Sequence, residues 1–206
     1  MMTILFVLLV CCLLVGCSGD GQIHHCIAPC PVGEDFVALQ DCTVPAAFAS
    51  DDFNWMGGNL TLSVYSEDLY DAVEVTQMTV GDTLVYDCDT LVVETLVWEG
   101  NILTVNGGLE QGGAWLQAHE GGTYRAIQFD DHSLYTLQCE AHLPLSQDFV
   151  VIDCGANPTD PSDTIRDGQK LYLESLPDYK RHFSYLDTRV LIQNGEITQI
   201  QRHWIP

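Results

Sequence analysis

Two imidazoles and two thiols fall within seven residues in His24-His25-Cys26-Ile27-Ala28-Pro29-Cys30. Sulfur and imidazole donors at that density suit copper or zinc, so His24, His25, Cys26 and Cys30 are one candidate metal set. Asp130-Asp131-His132 is a second, where two carboxylates and an imidazole could hold a divalent cation or share a proton. His119-Glu120 would join it only if the two ends of the intervening strand fold back together. Each set also has a plainer reading: thiols that pair as disulfides, and a solvated turn whose aspartates cap backbone amides. Trp55 and Trp115 flank the glycine pairs Gly57-Gly58 and Gly112-Gly113, which suits exposed loop positions that contact a sugar or peptide. Trp98 ends an alternating run and reads as a core residue.

Several catalytic signatures are missing from the sequence. There is no G-x-S-x-G elbow, no G-x-x-x-x-G-K-[ST] phosphate loop, no H-E-x-x-H and no EF-hand loop. His119-Glu120-Gly121-Gly122-Thr123 starts like a zinc-protease helix but has Thr where the second ligand belongs. The run Asn106-Gly107-Gly108-Leu109-Glu110-Gln111-Gly112-Gly113 has no Lys to meet a phosphate, and reads as a flexible loop between strands or a backbone-lined ligand loop. No catalytic residue or cofactor follows from these motifs.

Seven Lys and Arg face 29 Asp and Glu, for a net charge of −22. From Ser18 to Tyr124 there are 17 acidic residues and no basic one, and the first basic side chain is Arg125. Such a body repels nucleic acid and anionic lipid headgroups; it attracts cations or simply stays soluble.

Residues 3–16 (TILFVLLVCCLLVG) are continuously apolar and end at Cys17, followed by Ser18-Gly19-Asp20-Gly21-Gln22. A membrane-crossing helix needs about 18 to 20 apolar residues, so this run has the length of a signal-peptide core instead. Leu14-Val15-Gly16-Cys17 resembles the lipobox of bacterial lipoproteins, although Met1-Met2 supplies no Lys or Arg ahead of it. The resemblance implies cleavage before Cys17, acylation of that cysteine, and display outside the cytoplasm on the cell membrane or outer membrane. Residues 1–16 are then a signal peptide and 17–35 a tether. The six cysteines beyond Cys17, namely Cys26, Cys30, Cys42, Cys88, Cys139 and Cys154, are disulfide candidates in such a compartment, with pairing left open.

The elements that must position these groups read as mainly β over a single domain, residues 36–206. Asn59–Ser66 alternates strictly, and further strands are expected at 72–78, 83–87, 90–98, 102–105, 123–129 and 133–138, separated by Gly- and Asp-rich turns. Short strands in series predict an antiparallel meander forming a barrel or sandwich. Residues 157–206 add an appendage: a short helix over 162–176, started by Thr159 or Asp160 with Pro161 and stopped by Pro177, then a hairpin around Asn194-Gly195. The expectation is an exported, lipid-anchored protein with a non-catalytic binding or protein-interaction role, its ligand a cation, a glycan or a protein. The alternatives are a metal-binding protein and a carboxylate-dependent glycan hydrolase, which would need two carboxyls about 5 to 10 Å apart in a cleft.

Overall fold

Leu60, Leu62 and Val64 alternate with Thr61, Ser63 and Tyr65, and the strand they form buries its aliphatic side completely. The computed structural model describes residues 24–29, 39–153 and 164–203. In chain order its elements are β1 (Cys26–Ile27), β2 (Cys42–Ala49), β3 (Phe53–Asn54), β4 (Asn59–Glu67), β5 (Leu69–Asp71), α1 (Ala72–Gln77), β6 (Thr83–Tyr86), β7 (Asp89–Val92) and β8 (Leu96–Glu99). Then come β9 (Ile102–Val105), β10 (Ala114–His119), β11 (Thr123–Ile127), β12 (Tyr135–Asp153), β13 (Thr164–Ile165), α2 (Gln169–Ser175), β14 (His182–Phe183), β15 (Thr188–Gln193) and β16 (Glu196–Arg202).

β12 is 19 residues long because it serves two neighbours. Its first half runs antiparallel to β4, from Tyr135↔Glu67 to Pro144↔Asn59. Its second half runs parallel to β16, with a register shift between Leu145 and Val150. β16 pairs with β15, β15 with β2, and β2 with β4, so five strands close a ring. Closure satisfies the edges that an open sheet would leave unpaired. The ring is filled by Val44, Ala46, Leu62, Val64, Val190 and Ile200 among others, and Leu173 of α2 and Leu176 just after it join the same core. Burying a side chain of this size contributes about 1.5 to 3 kcal/mol. The mainly β barrel, a short helix and the C-terminal hairpin are therefore all present, the hairpin turning at Asn194 and Gly195 with φ of 52° and 78°.

A second, separate core lies outside the barrel. β5, β11, β10, β9 and β8 form a five-stranded antiparallel sheet, and β1, β6 and β7 a three-stranded one. Tyr70, Leu84, Leu103, Val105, Leu116 and Leu134 are packed within this second core. Among the described residues no helix is long and apolar enough to cross a membrane.

The structure corrects several local expectations. Residues 72–78 do not form a strand: Asp71 accepts the amides of Val73 (2.8 Å) and Glu74 (3.1 Å), and this cap starts α1. The run over 90–98 splits into β7 and β8, because the Asn106 side chain takes the amides of Glu94 and Thr95 out of any ladder. The C-terminal helix starts at Gln169 rather than near 162. Gly168, at φ 73°, precedes it, and Thr164–Ile165 pairs with β12 instead. Within the expected tether, Cys26–Ile27 lies parallel to β6. No disulfide joins two described cysteines: Cys26, Cys88 and Cys139 are exposed thiols, and Cys42 is half-buried against the barrel core. Cys17, Cys30, Cys154 and the start of the expected helix lie outside the described residues.

Candidate functional site

Between β2 and β4 the chain makes two tight local turns that display an aromatic. The Asp52 carboxylate accepts the Ala49 amide at 2.6 Å, and Asn54 Oδ1 accepts the Gly57 amide at 2.9 Å. Trp55, between them, lies parallel to Phe53 at 4.7 Å between ring centroids, with Phe149 tilted at 6.4 Å. The half-buried indole is thereby fixed rather than free on a loop. It lines a concavity of about 260 Å³ together with Ser50, Asp51, Phe53, Glu174 and Arg181.

Arg181 is set in place by the end of α2. Its Nε donates to Leu176 O at 2.9 Å, its Nη2 donates to Glu174 O at 3.1 Å, and Asp178 lies 3.5 Å from Nη1. A cation at this position satisfies carbonyls that the helix end leaves open. The concavity thus combines an aromatic wall, a hydroxyl, two carboxylates and a guanidinium, a mixture that suits a small polyhydroxylated or mixed-polarity ligand.

A second aromatic grouping surrounds Tyr185. Tyr65 stacks on Tyr185 at 4.1 Å, Tyr135 sits 5.6 Å from Tyr185, and the Arg189 guanidinium lies 5.7 Å over the Tyr135 ring. Arg189 donates to Tyr135 Oη (3.0 Å) and to the carbonyls of Tyr185 and Thr188. Those bonds commit the guanidinium to holding the loop after β14. Burial raises the pKa of Tyr135, and the nearby arginines only partly offset that.

The residues singled out from sequence are dispersed. His24 and His25 flank the edge of β6. The His25 amide donates to Asp82 Oδ1 at 2.8 Å, and His24 Nδ1 lies 3.8 Å from the same oxygen. His25 and Cys26 share a concavity of about 260 Å³ with Ile27, Glu74, Gln77 and Asp82. Burial disfavours the Asp82 charge, yet amides of His25 and Thr79 and the Thr79 hydroxyl outweigh it and hold its pKa below the ordinary carboxylate value. Asp130, Asp131 and His132 are exposed on a turn closed by a Gln128 N to His132 O bond of 2.7 Å, with Asp130 and Asp131 at positive φ.

His119-Glu120 is not brought to that turn. It stands at the opening of β11 and Asp130 follows the strand's other end. Among the described residues no three His, Cys, Asp or Glu side chains are arranged to hold a metal ion.

Trp115 is not on a loop but in β10, edge-on to Phe129 at 5.7 Å and packed over Gly108. The glycine-rich run before it is a stapled turn rather than a flexible loop: Gly113 N donates to Gly108 O at 2.8 Å, and Asn106 Nδ2 donates to Val92 O at 2.8 Å. Trp98, expected in the core, is 45% exposed because β8 is a sheet edge. Of the flagged aromatics, Trp55 alone lines one of the concavities described here. Its neighbours carry no motif: Asp51 is four residues from Trp55, and Glu174 and Arg181, seven residues apart, lie more than a hundred residues further along the chain. Comparison with protein-family models, with curated proteins and with solved structures finds no match to this chain.

Proposed function

We propose that this chain is an exported, lipid-anchored bacterial envelope protein with a non-catalytic binding role, and that its ligand, a glycan or a protein segment, is taken at the Trp55 concavity. The observation that carries the binding reading is the convergence of Trp55, Ser50, Asp51, Glu174 and Arg181 on one hollow. The placement rests on the apolar run before Cys17 and on the lipobox resemblance of Leu14-Val15-Gly16-Cys17. A barrel scaffold suits the role, because closed strands hold the site without an exposed edge.

Envelope polysaccharides, their oligosaccharides and peptide arrays are the probes to titrate, with binding followed by calorimetry. Wild type should bind one class saturably, and Trp55→Ala should weaken that binding at least about tenfold, or about 1.4 kcal/mol. Equal binding by Trp55→Ala would place the ligand elsewhere. Mass spectrometry of protein from a bacterial host should find a diacylated Cys17 at the N-terminus, and an intact Met1 would end the anchoring reading.

A second reading, glycan hydrolysis, is favoured by one feature: Asp51 and Glu174 line the same hollow. Release of reducing sugar by wild type, abolished in Glu174→Gln, would replace the binding reading by this one.

A further inference from the structure

Two of the chain's passages between the barrel and the second core, β4 to β5 and β11 to β12, meet at one point. Asp68 is the single residue between β4, a barrel strand, and β5, a strand of the outer sheet. Leu134 is the last residue before β12 re-enters the barrel. The two are tied directly: Asp68 N donates to Leu134 O at 3.0 Å, Leu134 N to Ala126 O at 2.9 Å, and Ala126 N to Asp68 O at 3.0 Å.

The side chain at this crossing is an acid with almost no solvent. Asp68 is 2% exposed, and its Oδ2 has no hydrogen-bond partner. The phenols around it are committed elsewhere: Tyr70 Oη donates to Val85 O and Tyr86 Oη to Ile127 O, both at 2.8 Å. The Thr136 side chain on β12 favours the ionised carboxyl, and Cys88 Sγ stands 4.0 Å from the Thr136 hydroxyl. The charged groups bearing on it are Glu67, the last residue of β4, and Asp87 in the β6–β7 turn, both negative. On β11, Arg125 spends its guanidinium on Gln117 and Ser133. Among the described residues no cation is paired with the Asp68 carboxyl.

We infer that Asp68 is a proton-operated latch between the two cores. Protonated, it sits neutral in the crossing and the barrel and outer sheets hold as one piece; ionised, it forces the crossing open to admit water. A proton taken up from or released to solvent is the whole reaction. Burial raises the pKa of this carboxyl, Asp87 and Glu67 push the same way, and the Thr136 side chain opposes them. The sign follows. An acid whose folded pKa lies above its unfolded value binds more protons when folded, so the latch weakens as pH rises from the ordinary value of 3.8 through the raised one.

The test is hydrogen exchange on the intact mature chain between pH 4 and 8, corrected for intrinsic chemistry, in wild type and Asp68→Asn. In wild type the amides of Asp68, Ala126 and Leu134 should lose protection with rising pH. The loss should be about tenfold for each unit by which the folded pKa exceeds the unfolded one. In Asp68→Asn the same amides should hold pH-independent protection, and its thermal unfolding should stay a single transition where wild type broadens or splits above the titration. Protection that does not change with pH in wild type, or an equal change in Asp68→Asn, overturns the inference. Should the variant not fold, a carbon-13 titration of the wild-type Asp68 carboxyl decides, since a midpoint at or below 4 excludes the latch.

Discussion

Arg202 on β16 and Asp153 on β12 face each other in register and pair side chain to side chain with almost no solvent contact. Arg202 Nε donates to Asp153 Oδ1 at 2.8 Å, while Nη2 donates to Oδ2. The Tyr172 hydroxyl of α2 donates to Oδ2 at 2.7 Å, Arg202 Nη1 donates to Lys180 O at 2.8 Å, and the guanidinium lies 4.2 Å over the Phe183 ring. One fork therefore joins two barrel strands, the helix and the segment before β14. Removing Arg202 takes the paired countercharge from the buried Asp153 carboxylate, so Arg202→Met should cost about 3 to 5 kcal/mol by urea unfolding. The double variant Asp153→Leu/Arg202→Met should recover much of that loss, and simple additivity of the two singles would contradict the pairing.

Asp82 clamps β1 to the edge of β6 through the His25 and Thr79 amides. Its pKa is held below the ordinary carboxylate value, so its contribution is complete above that value and is lost as pH falls through the folded pKa. Asp82→Asn should lower stability at pH 7 by about 1 to 3 kcal/mol and flatten the acid limb below pH 4. Thermal melts from pH 2 to 7 check both, and an unchanged acid limb would remove Asp82 from the account.

Gly113 has no room for a methyl group, since a Cβ there would sit 2.0 Å from the Val105 carbonyl oxygen. Backbone cannot yield as a flexible side-chain tip does. Gly113→Ala should therefore cost about 1 to 3 kcal/mol or more. Gly100 is the control: at φ 62° with open space around it, alanine there meets only the left-handed backbone penalty of about 1 to 2 kcal/mol. Denaturant midpoints of the two variants should rank in that order.

Cys26, Cys88 and Cys139 are exposed thiols in the folded chain. Native-state alkylation followed by peptide mass mapping should label all three without denaturant. Protection of any one in non-reduced protein would show that it has paired with a cysteine.

Trp55 was legible as a turn residue because Gly57 and Gly58 follow it, but its stacking on Phe53, which leaves it half-buried, was not. Glu174 and Arg181 were not legible as its partners, because they come from around α2, more than a hundred residues away, and only the packing of α2 on the barrel core brings them to Trp55. The helix at 72–77 was misread because Val73 and Val75 alternate with polar residues as a strand would, and the Asp71 cap outweighs that pattern. Asp68 gave no signal at all: one more acidic residue among 29, marked out only by where two sheets cross.

Local chemistry by itself determined the strand periods, the Asn194-Gly195 turn and the acidic surface, because each depends on residues within a few positions of one another. Tertiary structure decided which strand closes the barrel, that two cores form instead of one, and which polar groups end up dry. These outcomes depend on pairings between distant segments, whose burial and hydrogen bonding exist only once the chain has folded.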